Sequence, residues 1–578
     1  MVMKKCKTKS CGGCPYYNQS NITKLKERLL VDIMDMEDIV KNGKQLKACP
    51  YYATRIALEQ AEVVLISHAG IVSAGARSAA RVTLTNNILI LDEAHGLTAA
   101  LEQANSAPLS TKQLQAINTY IKFYLKKYMS RLNSKNLLSL NQMVFVVGRL
   151  LKMLQPQKEE SSIYTIEDFV IKAEIDHLNL RPLIQFCRQT KLAPKLHGFS
   201  LRYDQSTLEE EQNKSTKKTS FQSFLNNISK NKPEVQEKVP ENPVEVKTSS
   251  ESPGSALYAL LDVLSRLGER SQDGRVLRTE AGLKYLLLDP AEHFSQVVKQ
   301  CRSVILAGGT MEPISEFEQL IFGAEKVDYN KLRVLRCDHV VPSDNVLALC
   351  LSQGPTNVKL NLTYENRMAD QMLSEVARII RGVSRVVPAG MVVFVPSYSM
   401  EAVLYDRLVG IKDKHLFREP KTAKLVDKVL NDYSSCIRNK TDGKNGALLL
   451  SVVGGKLSEG LNFSDELGRC VMVVGMPYPN SKSPELKEKM RHLSETVGPA
   501  TAQRYYEGLC IKAVNQCVGR AIRHAADYAC VLLVDGRYSR GSTAAALPSF
   551  LQKSLKTDCT FGTAVGSIAK FFAKHKKS

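Results

Sequence analysis

The sequence predicts an α/β fold built on doubly wound parallel sheets. Six short apolar and β-branched runs recur, each followed by Gly, Pro, Ser or an acidic residue: NNILILDEAH, RSVILAGGT, GMVVFVPSY, GALLLSVVGG, RCVMVVGMPYP and ACVLLVDGRY. Runs of this length, apolar on both faces and separated by helical stretches, are typical of central strands in a parallel sheet. Because such sheets bind ligands beyond the carboxyl ends of their strands, we expect the functional residues directly after the runs.

Composition narrows the class of protein. The chain has 578 residues, a net charge of +21 and 14 cysteines. This length predicts several domains, and the charge suits a polyanion such as nucleic acid, although a merely soluble basic protein has the same total. The sequence has no apolar run long enough for a membrane span and no signal peptide, so we expect an intracellular protein with no membrane contact. In an intracellular chain of this length, we expect the cysteines to be buried thiols or ligands of one metal site rather than disulfides.

The middle of the chain changes character twice. Residues 97–204 have apolar side chains at three- and four-residue spacing, as in LSTKQLQAINTYIKFYLKKYMSRL, which predicts a helical domain. Residues 205–254 lose this periodicity and become rich in Glu, Lys, Ser, Asn and Pro, which predicts a disordered linker.

Two carboxylates follow the first predicted strand. Asp92 and Glu93 come directly after Ile88–Leu91, in the tetrapeptide Asp-Glu-Ala-His that ends at His95. At that position one acid can hold magnesium while its neighbour orients water for attack on a γ-phosphate. A chance tetrapeptide in a helix is the alternative, and the strand context favours the functional interpretation.

A basic element lies near the carboxyl end. Gln516, Arg520 and Arg523 recur at helical spacing and are predicted to share one face of a helix. The opposite face is apolar and consists of Ala513, Val514, Cys517, Val518, Ala521 and Ile522. Two arginines aimed together suit capture of phosphate charge, as arginine fingers do, whereas a solvated basic face is the structural alternative.

Taken together, these motifs resemble those of XPD-like iron–sulfur DEAH-box helicases of superfamily two. LDEAH resembles motif II and QCVGRAIR resembles motif VI, while LAGGTMEP, FVPSY and SVVGGKLSEGLNFSDELGR resemble motifs III, IV and V. MPYPN and the long GRAIRH element are most similar to the chromosome-loss (ChlR) type, which is associated with sister-chromatid cohesion. The resemblance runs from about Cys14 to the carboxyl end.

Each matched motif implies roles for its residues. Asp92 would hold magnesium, Glu93 would activate the attacking water, and His95 would connect the nucleotide site to the second motor domain. Arg520 and Arg523 would be the arginine fingers. The remaining implied nucleotide or DNA contacts are Gly308 and Thr310 of motif III, Glu459, Gly460 and Asn462 of motif V, and Gln516 and Gly519 of motif VI.

Cysteines near the amino end resemble ligands of the family's [4Fe-4S] cluster. Cys14 and Cys49, each followed by Pro-Tyr-Tyr, look like the third and fourth ligands, with Cys11 and Cys6 as weaker candidates for the first two. The spacing C-x4-C-x2-C followed by Cys49 also resembles a plant-type [2Fe-2S] loop, and a four-thiolate zinc site is chemically possible. The other ten cysteines, including Cys301, Cys470 and Cys517, are expected to be core residues.

One expected motif is missing from the sequence. No G-x-x-x-x-G-K-[ST] loop is present; the nearest candidate, Gly454-Gly455-Lys456, continues with Leu457 and already belongs to motif V. The resemblance therefore implies two RecA-like, P-loop NTPase-type motor domains, of which the first is incomplete, together with an iron–sulfur element and a helical arch. Its expected boundaries are an iron–sulfur element at 1–60, motor domain 1 at 61–96 and 255–322, an arch at 97–204, a linker at 205–254 and motor domain 2 at 323–578.

As a function, the resemblance implies ATP-dependent unwinding of DNA with 5′-to-3′ polarity. It implies single-stranded and forked DNA, replication and cohesion proteins as partners, a nuclear location, and ATP, Mg²⁺ and a [4Fe-4S] cluster. Two explanations remain for the missing loop: a truncated form of a working helicase, or a paralogue that binds DNA or protein without catalysis. The intact motifs II to VI favour truncation.

Overall fold

A computed structural model describes residues 14–155, 161–203, 252–309, 311, 314–322, 328–337, 339–422, 425–439, 443–457 and 463–577. It divides into two compact units, which are described separately. The first unit comprises Met1–Ile88 and Leu97–Ser303, and the second comprises Leu89–Gly96 and Val304–Ser578.

Helices account for most of the first unit. They are α1 (Gln19–Val31), α2 (Met36–Leu46), α3 (Pro50–Ala57), α4 (His68–Val72), α5 (Ala74–Ala80), α6 (Leu97–Asn105), α7 (Thr111–Tyr128), α8 (Ser134–Met153), α9 (Ile166–Lys172), α10 (Leu180–Gln189), α11 (Leu192–Ser200), α12 (Pro253–Glu269) and α13 (Ala291–Gln300). In the second unit lie α14 (Ile314–Phe322), α15 (Asp370–Val386), α16 (Tyr398–Leu408), α17 (Val426–Asn439), α18 (Pro484–Thr496), α19 (Pro499–Val518), α20 (Gly541–Ala545), α21 (Ser549–Gln552) and α22 (Phe561–Lys577).

The strands form three sheets. In chain order they are β1 (Ile88–Leu91), β2 (Ala107–Ser110), β3 (Ser161–Thr165), β4 (Gly274–Thr279), β5 (Gly282–Leu287), β6 (Ser303–Leu306), β7 (Val346–Leu351), β8 (Ala389–Val395), β9 (His415–Arg418), β10 (Gly446–Val452), β11 (Cys470–Val474), β12 (Ala529–Val534) and β13 (Leu555–Cys559). All six predicted runs are strands, and four of them, β8, β10, β11 and β12, are buried strands of one parallel sheet, as predicted. The other two, β1 and β6, lie in a separate sheet and have exposed residues, so the prediction of burial on both faces is wrong for them.

The first unit has one large core formed by helices and a small sheet. Strands β2-β5-β4-β3 pair antiparallel, and one face packs against α7, α8 and α12. Helix α7 begins with a capping box between Ser110 and Gln113, and it buries Leu114, Ile117 and Ile121 at the spacing that predicted a helix.

This core extends beyond the segment predicted to be the helical domain. Helix α12 and strands β4 and β5 share its buried residues, although residues 255–322 were predicted to belong to motor domain 1. The four-residue β2 was missed because so short a run carries little periodic signal. Helix α12 also begins at Pro253, capped by Ser252, so the predicted linker extends slightly too far; most of that linker lies outside the described residues.

A seven-stranded parallel sheet forms the centre of the second unit. Its order is β13-β7-β12-β11-β8-β10-β9, and every pair in it is parallel. Alternate residues enter two cores: Val393 and Met472 pack with α15, α16 and α22, while Val392 and Val471 pack with α17 and α19. The sheet is therefore covered on both faces, as its uninterrupted apolar strands predict. Strands β1 and β6 form a separate two-stranded sheet.

Candidate active site

The Asp-Glu-Ala-His loop is held against the segment that follows β6. The backbone N–H of Ala307 donates to the carbonyl of Leu91 at 2.9 Å, and that of Ala94 donates to the carbonyl of Ala307 at 2.9 Å. Ala94 is buried, whereas Asp92 and Glu93 are exposed. Two backbone hydrogen bonds therefore fix the loop and leave both carboxylates accessible to a ligand.

Local contacts order the acidic side chains. The Asp92 carboxylate accepts a hydrogen bond from the backbone N–H of Glu93 at 2.9 Å, and Glu93 has a left-handed φ of +49°. Since a side chain at such a φ is strained, this turn is a sharp reversal directly after the strand. His95 Nδ1 lies 3.2 Å from Glu93 Oε2, so the histidine ring faces the acid predicted to orient water.

Motif III packs against motif II. A Cβ added at Gly308 would lie 3.0 Å from the sulfur of Met311 and 3.6 Å from the backbone nitrogen of Ala94. The tight contact would be with Met311 of the same motif, whereas 3.6 Å to Ala94 is an ordinary van der Waals distance. Thr310, the second motif III candidate, lies outside the described residues.

The predicted helix of motif VI ends earlier than expected. Helix α19 stops at Val518, with Gly519 as its carboxyl cap, so Gln516 lies in its last turn while Arg520 and Arg523 lie beyond it. The prediction that all three share one helical face is wrong. The apolar pattern misled because Ala521 and Ile522 are buried in the loop, which continues the helical spacing without the helix.

A buried ion pair holds the arginine loop. The Asp527 carboxylate accepts from the Arg469 guanidinium at 2.7 Å, and its second oxygen accepts from the backbone N–H of Arg523 at 3.4 Å. Asp527 is 1% exposed and Arg469 is 7% exposed. Arg469 directly precedes β11 and Asp527 nearly abuts β12, so this loop lies at the amino edge of the sheet. The expectation that functional residues follow the strands therefore fails for motif VI.

Electrostatics bring motifs II and VI together within the second unit. Burial and the neighbouring Arg520 lower the pKa of Arg523 from its ordinary value, and the Glu93 carboxylate partly offsets this. Charges influence a pKa in this way only at short range. The acid predicted to orient water therefore acts electrostatically on one of the two cations predicted to bind phosphate.

The structure describes the first part of motif V, as far as Leu457. Glu459, Gly460 and Asn462 lie outside the described residues, whereas the preceding segment directly follows β10. Gly454 has a φ of +71°, which explains why glycine stands there. This turn, rather than a phosphate loop, accounts for the Gly-Gly-Lys sequence.

The two stronger cluster candidates lie on segments that contact each other. Cys14 is exposed, and Cys49 is half-buried at the N-cap of α3. The rings of Tyr17 and Tyr52, three residues after each cysteine, meet edge to face with centroids 5.1 Å apart. Cys6 and Cys11 lie outside the described residues, so two of the four predicted thiolates are located.

The remaining cysteines are mostly core residues, as expected. Cys470 and Cys517 are buried, and burial raises the pKa of the Cys517 thiol to about 12. Four of the ten depart from this expectation: Cys301, Cys436 and Cys559 are half-buried, and Cys337 is exposed.

One further group of metal-ligand type exists among the described residues. Ligand atoms of Asp465, His524 and Asp527 lie within 4.8 Å of one another. Asp527 is already paired with Arg469, and His524 Nε2 lies 3.0 Å from Asp465. These internal pairs account for the grouping. Asp92 therefore stays the residue predicted to hold magnesium.

Sequence reasoning missed Arg469 and Asp527. Each is a charged residue at the amino end of a fully apolar run, in RCVMVV and DYACVLLV. Such a position predicts a buried or half-buried charge that needs a partner, and the two neighbouring strands supply opposite signs.

No described helix combines the length and the apolar character that crossing a membrane requires.

Comparisons with known protein families match both ends of the chain. A family model described as DEAD_2 matches residues 1–114, and one described as Helicase C-terminal domain matches residues 380–554. The chain is 37% identical to "ATP-dependent DNA helicase DDX11" of Danio rerio over 98% of this chain and 67% of that protein. It is 34% identical to "ATP-dependent DNA helicase chl1" of Schizosaccharomyces pombe over 98% and 67%, respectively.

The chain is shorter than these relatives. It spans about two thirds of the length of the two proteins above and 52% of human "ATP-dependent DNA helicase DDX11", to which it is 37% identical over 84% of this chain.

Solved structures show the same fold. One described as "XPD_Helicase" aligns with a TM-score of 0.51 and 17% identity, covering 94% of this chain and 84% of that one. The structure of S. tokodaii Xpd4 aligns with a TM-score of 0.51 and 15% identity, covering 91% and 88%. The predicted α/β class with two RecA-like domains is confirmed.

Proposed function

Because the chain belongs to the DDX11/CHL1 family of ATP-dependent DNA helicases, we propose that it is a helicase motor that couples ATP hydrolysis to movement along DNA. The observation that carries this proposal is the motif II loop, in which two backbone hydrogen bonds to the segment after β6 hold the exposed carboxylates of Asp92 and Glu93 in place. The Glu93 carboxylate also acts electrostatically on Arg523 of motif VI. A γ-phosphate between these charges would have a group that orients water on one side and a cation on the other.

The finer points of the proposal rest on the resemblance. They are 5′-to-3′ translocation on single-stranded and forked DNA, action in the nucleus in genome maintenance and sister-chromatid cohesion, and replication and cohesion proteins as partners. Asp92 would hold Mg²⁺, which neutralises charge on the phosphates when bound. Cys14 and Cys49 would supply two thiolates of a [4Fe-4S] cluster. The contact between the rings of Tyr17 and Tyr52 supports this, because it brings together the two segments that carry these cysteines.

The test is DNA-stimulated ATP hydrolysis by this chain. Turnover by the wild type that is lost in Glu93→Gln would support the proposal, because this substitution keeps the size of the side chain but removes its charge. Arg540→Ala is a suitable control, because Arg540 is exposed and its side chain makes no cap contact to α20.

A second candidate function is a non-catalytic subunit that binds DNA or protein. The absence of a G-x-x-x-x-G-K-[ST] loop from these 578 residues favours it. DNA binding without turnover in either Glu93 form would fit this candidate and a truncated helicase alike, whereas turnover that depends on Glu93 would exclude the non-catalytic candidate.

A further inference from the structure

Glu419, which lies in none of the helicase motifs, is a buried carboxylate at the carboxyl edge of the parallel sheet. It directly follows β9, it is 2% exposed, and its backbone N–H donates to the carbonyl of Leu450 in β10 at 2.9 Å. Leaving such a carboxylate without hydrogen bonds would be costly, so its partners show what it organises.

One oxygen of Glu419 binds the start of motif V. Oε2 accepts from the hydroxyl of Ser451 at 2.8 Å and from the backbone N–H of Val452 at 2.8 Å. Both donors end β10, so the carboxylate fixes the point at which the chain leaves the sheet.

The other oxygen reaches further along motif V and also to motif IV. Oε1 accepts from the backbone N–H of Lys456 at 2.6 Å, from that of Leu457 at 3.4 Å and from the hydroxyl of Tyr398 at 3.1 Å. Tyr398 begins α16 and is 40% exposed. One side chain therefore ties an exposed motif IV tyrosine to the backbone of motif V.

Gly455 shows how close this packing is. A Cβ at Gly455 would lie 2.2 Å from Glu419 Oε1, a distance that two atoms cannot share. The glycine is thus required by the carboxylate, and the segment Ser451–Leu457 wraps around it.

From this geometry we infer that Glu419 is a positioning residue that sets motif V and Tyr398 for contact with single-stranded DNA. Ligands of parallel α/β sheets bind beyond the carboxyl ends of the strands, which is where Ser451–Leu457 and Tyr398 lie. The backbone N–H groups of Val452, Lys456 and Leu457 already donate to Glu419, so they position the segment rather than bind DNA themselves. Tyr398 is 40% exposed, and an exposed aromatic ring is a common surface for stacking of single-stranded bases. The inference rests on the proposed function.

Glutamine at this position is a sharp test because both oxygens of Glu419 accept from backbone N–H groups. In Glu419→Gln, either orientation of the amide turns an NH₂ toward the N–H of Val452 or of Lys456, so one donor loses its acceptor. Glu401→Gln is the matched control. Glu401 is also buried, and its carboxylate accepts from the guanidinium of Arg418 at 2.6 Å rather than from the backbone of motif V.

Two measurements on the full chain decide the matter. Binding of a labelled oligothymidine is expected to weaken about tenfold in Glu419→Gln, as the loss of one charge-assisted hydrogen bond predicts, and to stay near wild type in Glu401→Gln. Hydrogen exchange of the Val452 and Lys456 amides is expected to accelerate in Glu419→Gln alone. In DNA-stimulated ATP hydrolysis, Glu419→Gln is expected to need a higher DNA concentration for half-maximal stimulation than the wild type. Its rate at saturating DNA is expected to equal that of the wild type.

Faster exchange with unchanged DNA binding would overturn the inference and leave Glu419 a purely structural residue. If Glu419→Gln fails to fold, Tyr398→Phe and Ser451→Ala each remove one donor; both are expected to weaken binding about threefold, and wild-type affinity in both would also refute the inference. Failure of the wild type to bind oligothymidine would instead contradict the proposed function, while the exchange measurement would still report on Glu419.

Discussion

The guanidinium of Arg469 and the carboxylate of Asp527 are joined at 2.7 Å, and both are buried where β11 and β12 begin. The same carboxylate accepts a hydrogen bond from the backbone N–H of Arg523. Asp527 therefore helps to position the arginine that is proposed to bind phosphate, although Asp527 itself is not proposed to bind phosphate.

Removing Asp527 should therefore destabilise the protein strongly. Asp527→Ala leaves Arg469 charged, buried and unpaired, and the expected loss in free energy of unfolding is about 3–5 kcal/mol. Urea denaturation measures it. Lys574→Ala is the control, since its pair with Asp344 is 3.0 Å long but largely exposed and should contribute at most about 1 kcal/mol. Equal losses in both variants would contradict this account.

Arg523→Ala should separate catalysis from stability. Arg523 is exposed, so its removal should leave the midpoint of thermal unfolding near that of the wild type. Loss of an arginine finger is expected to lower DNA-stimulated phosphate release about 1,000-fold. Arg540→Ala, another exposed arginine, should keep wild-type turnover. Normal phosphate release by Arg523→Ala would remove this residue from the site.

Metal content tests the two located cysteines. Protein purified without oxygen should be brown, and Cys14→Ser and Cys49→Ser should each lose iron and sulfide, because each removes a thiolate ligand. Cys337→Ser is a matched control, since Cys337 is also exposed but lies in the second unit. Stoichiometric zinc in place of iron would refute the cluster, as would full iron content in both variants.

Lys414 should make stability depend on pH. Its amine is buried and donates to the carbonyls of Ala389 at 2.8 Å and Asn445 at 3.1 Å, and burial lowers its pKa from 10.5 to about 8. Between these values the unfolded chain binds more protons, so this lysine's contribution to stability rises with pH, by about 3 kcal/mol in all.

The measurement is the unfolding free energy of wild type minus that of Lys414→Met across this pH range. The difference should increase with pH, and comparison with the variant cancels the opposing titration of buried tyrosines and cysteines. Lys412→Met controls for the loss of one lysine, because Lys412 is exposed. A difference that stays flat would mean that the Lys414 amine is solvated.

Strands β8, β10, β11 and β12 were predictable because burial on both faces demands apolar runs. Strand β7 has the same character, with the fully buried sequence VLALCL, and it was missed. The end of α19 could not be predicted from the sequence, because Ala521 and Ile522 continue the helical spacing of buried residues beyond the last residue of the helix. Periodicity reports which side chains are buried, and a buried loop can imitate it.

The site was predictable only in part, for a related reason. Asp92, Glu93 and Arg523 belong to contiguous motifs, so their neighbourhood follows from the resemblance. Glu419 and Asp527 act through single contacts with residues remote in sequence, and one charged residue produces no pattern. Position is a signal only for Asp527, which lies just before the apolar strand β12, because Glu419 follows β9, whose sequence HLFR is not apolar.

The order of the large sheet has a consequence for how the second unit acquires its structure. β7 is its first strand in sequence, yet its neighbours are β12 and β13, which are its last: Val346 pairs with Ala529, and Ala348 pairs with Leu555. During synthesis β7 emerges from the ribosome long before either partner exists. Contacts of such high sequence separation make folding slow, so nascent chains of this unit should occupy chaperones until translation ends.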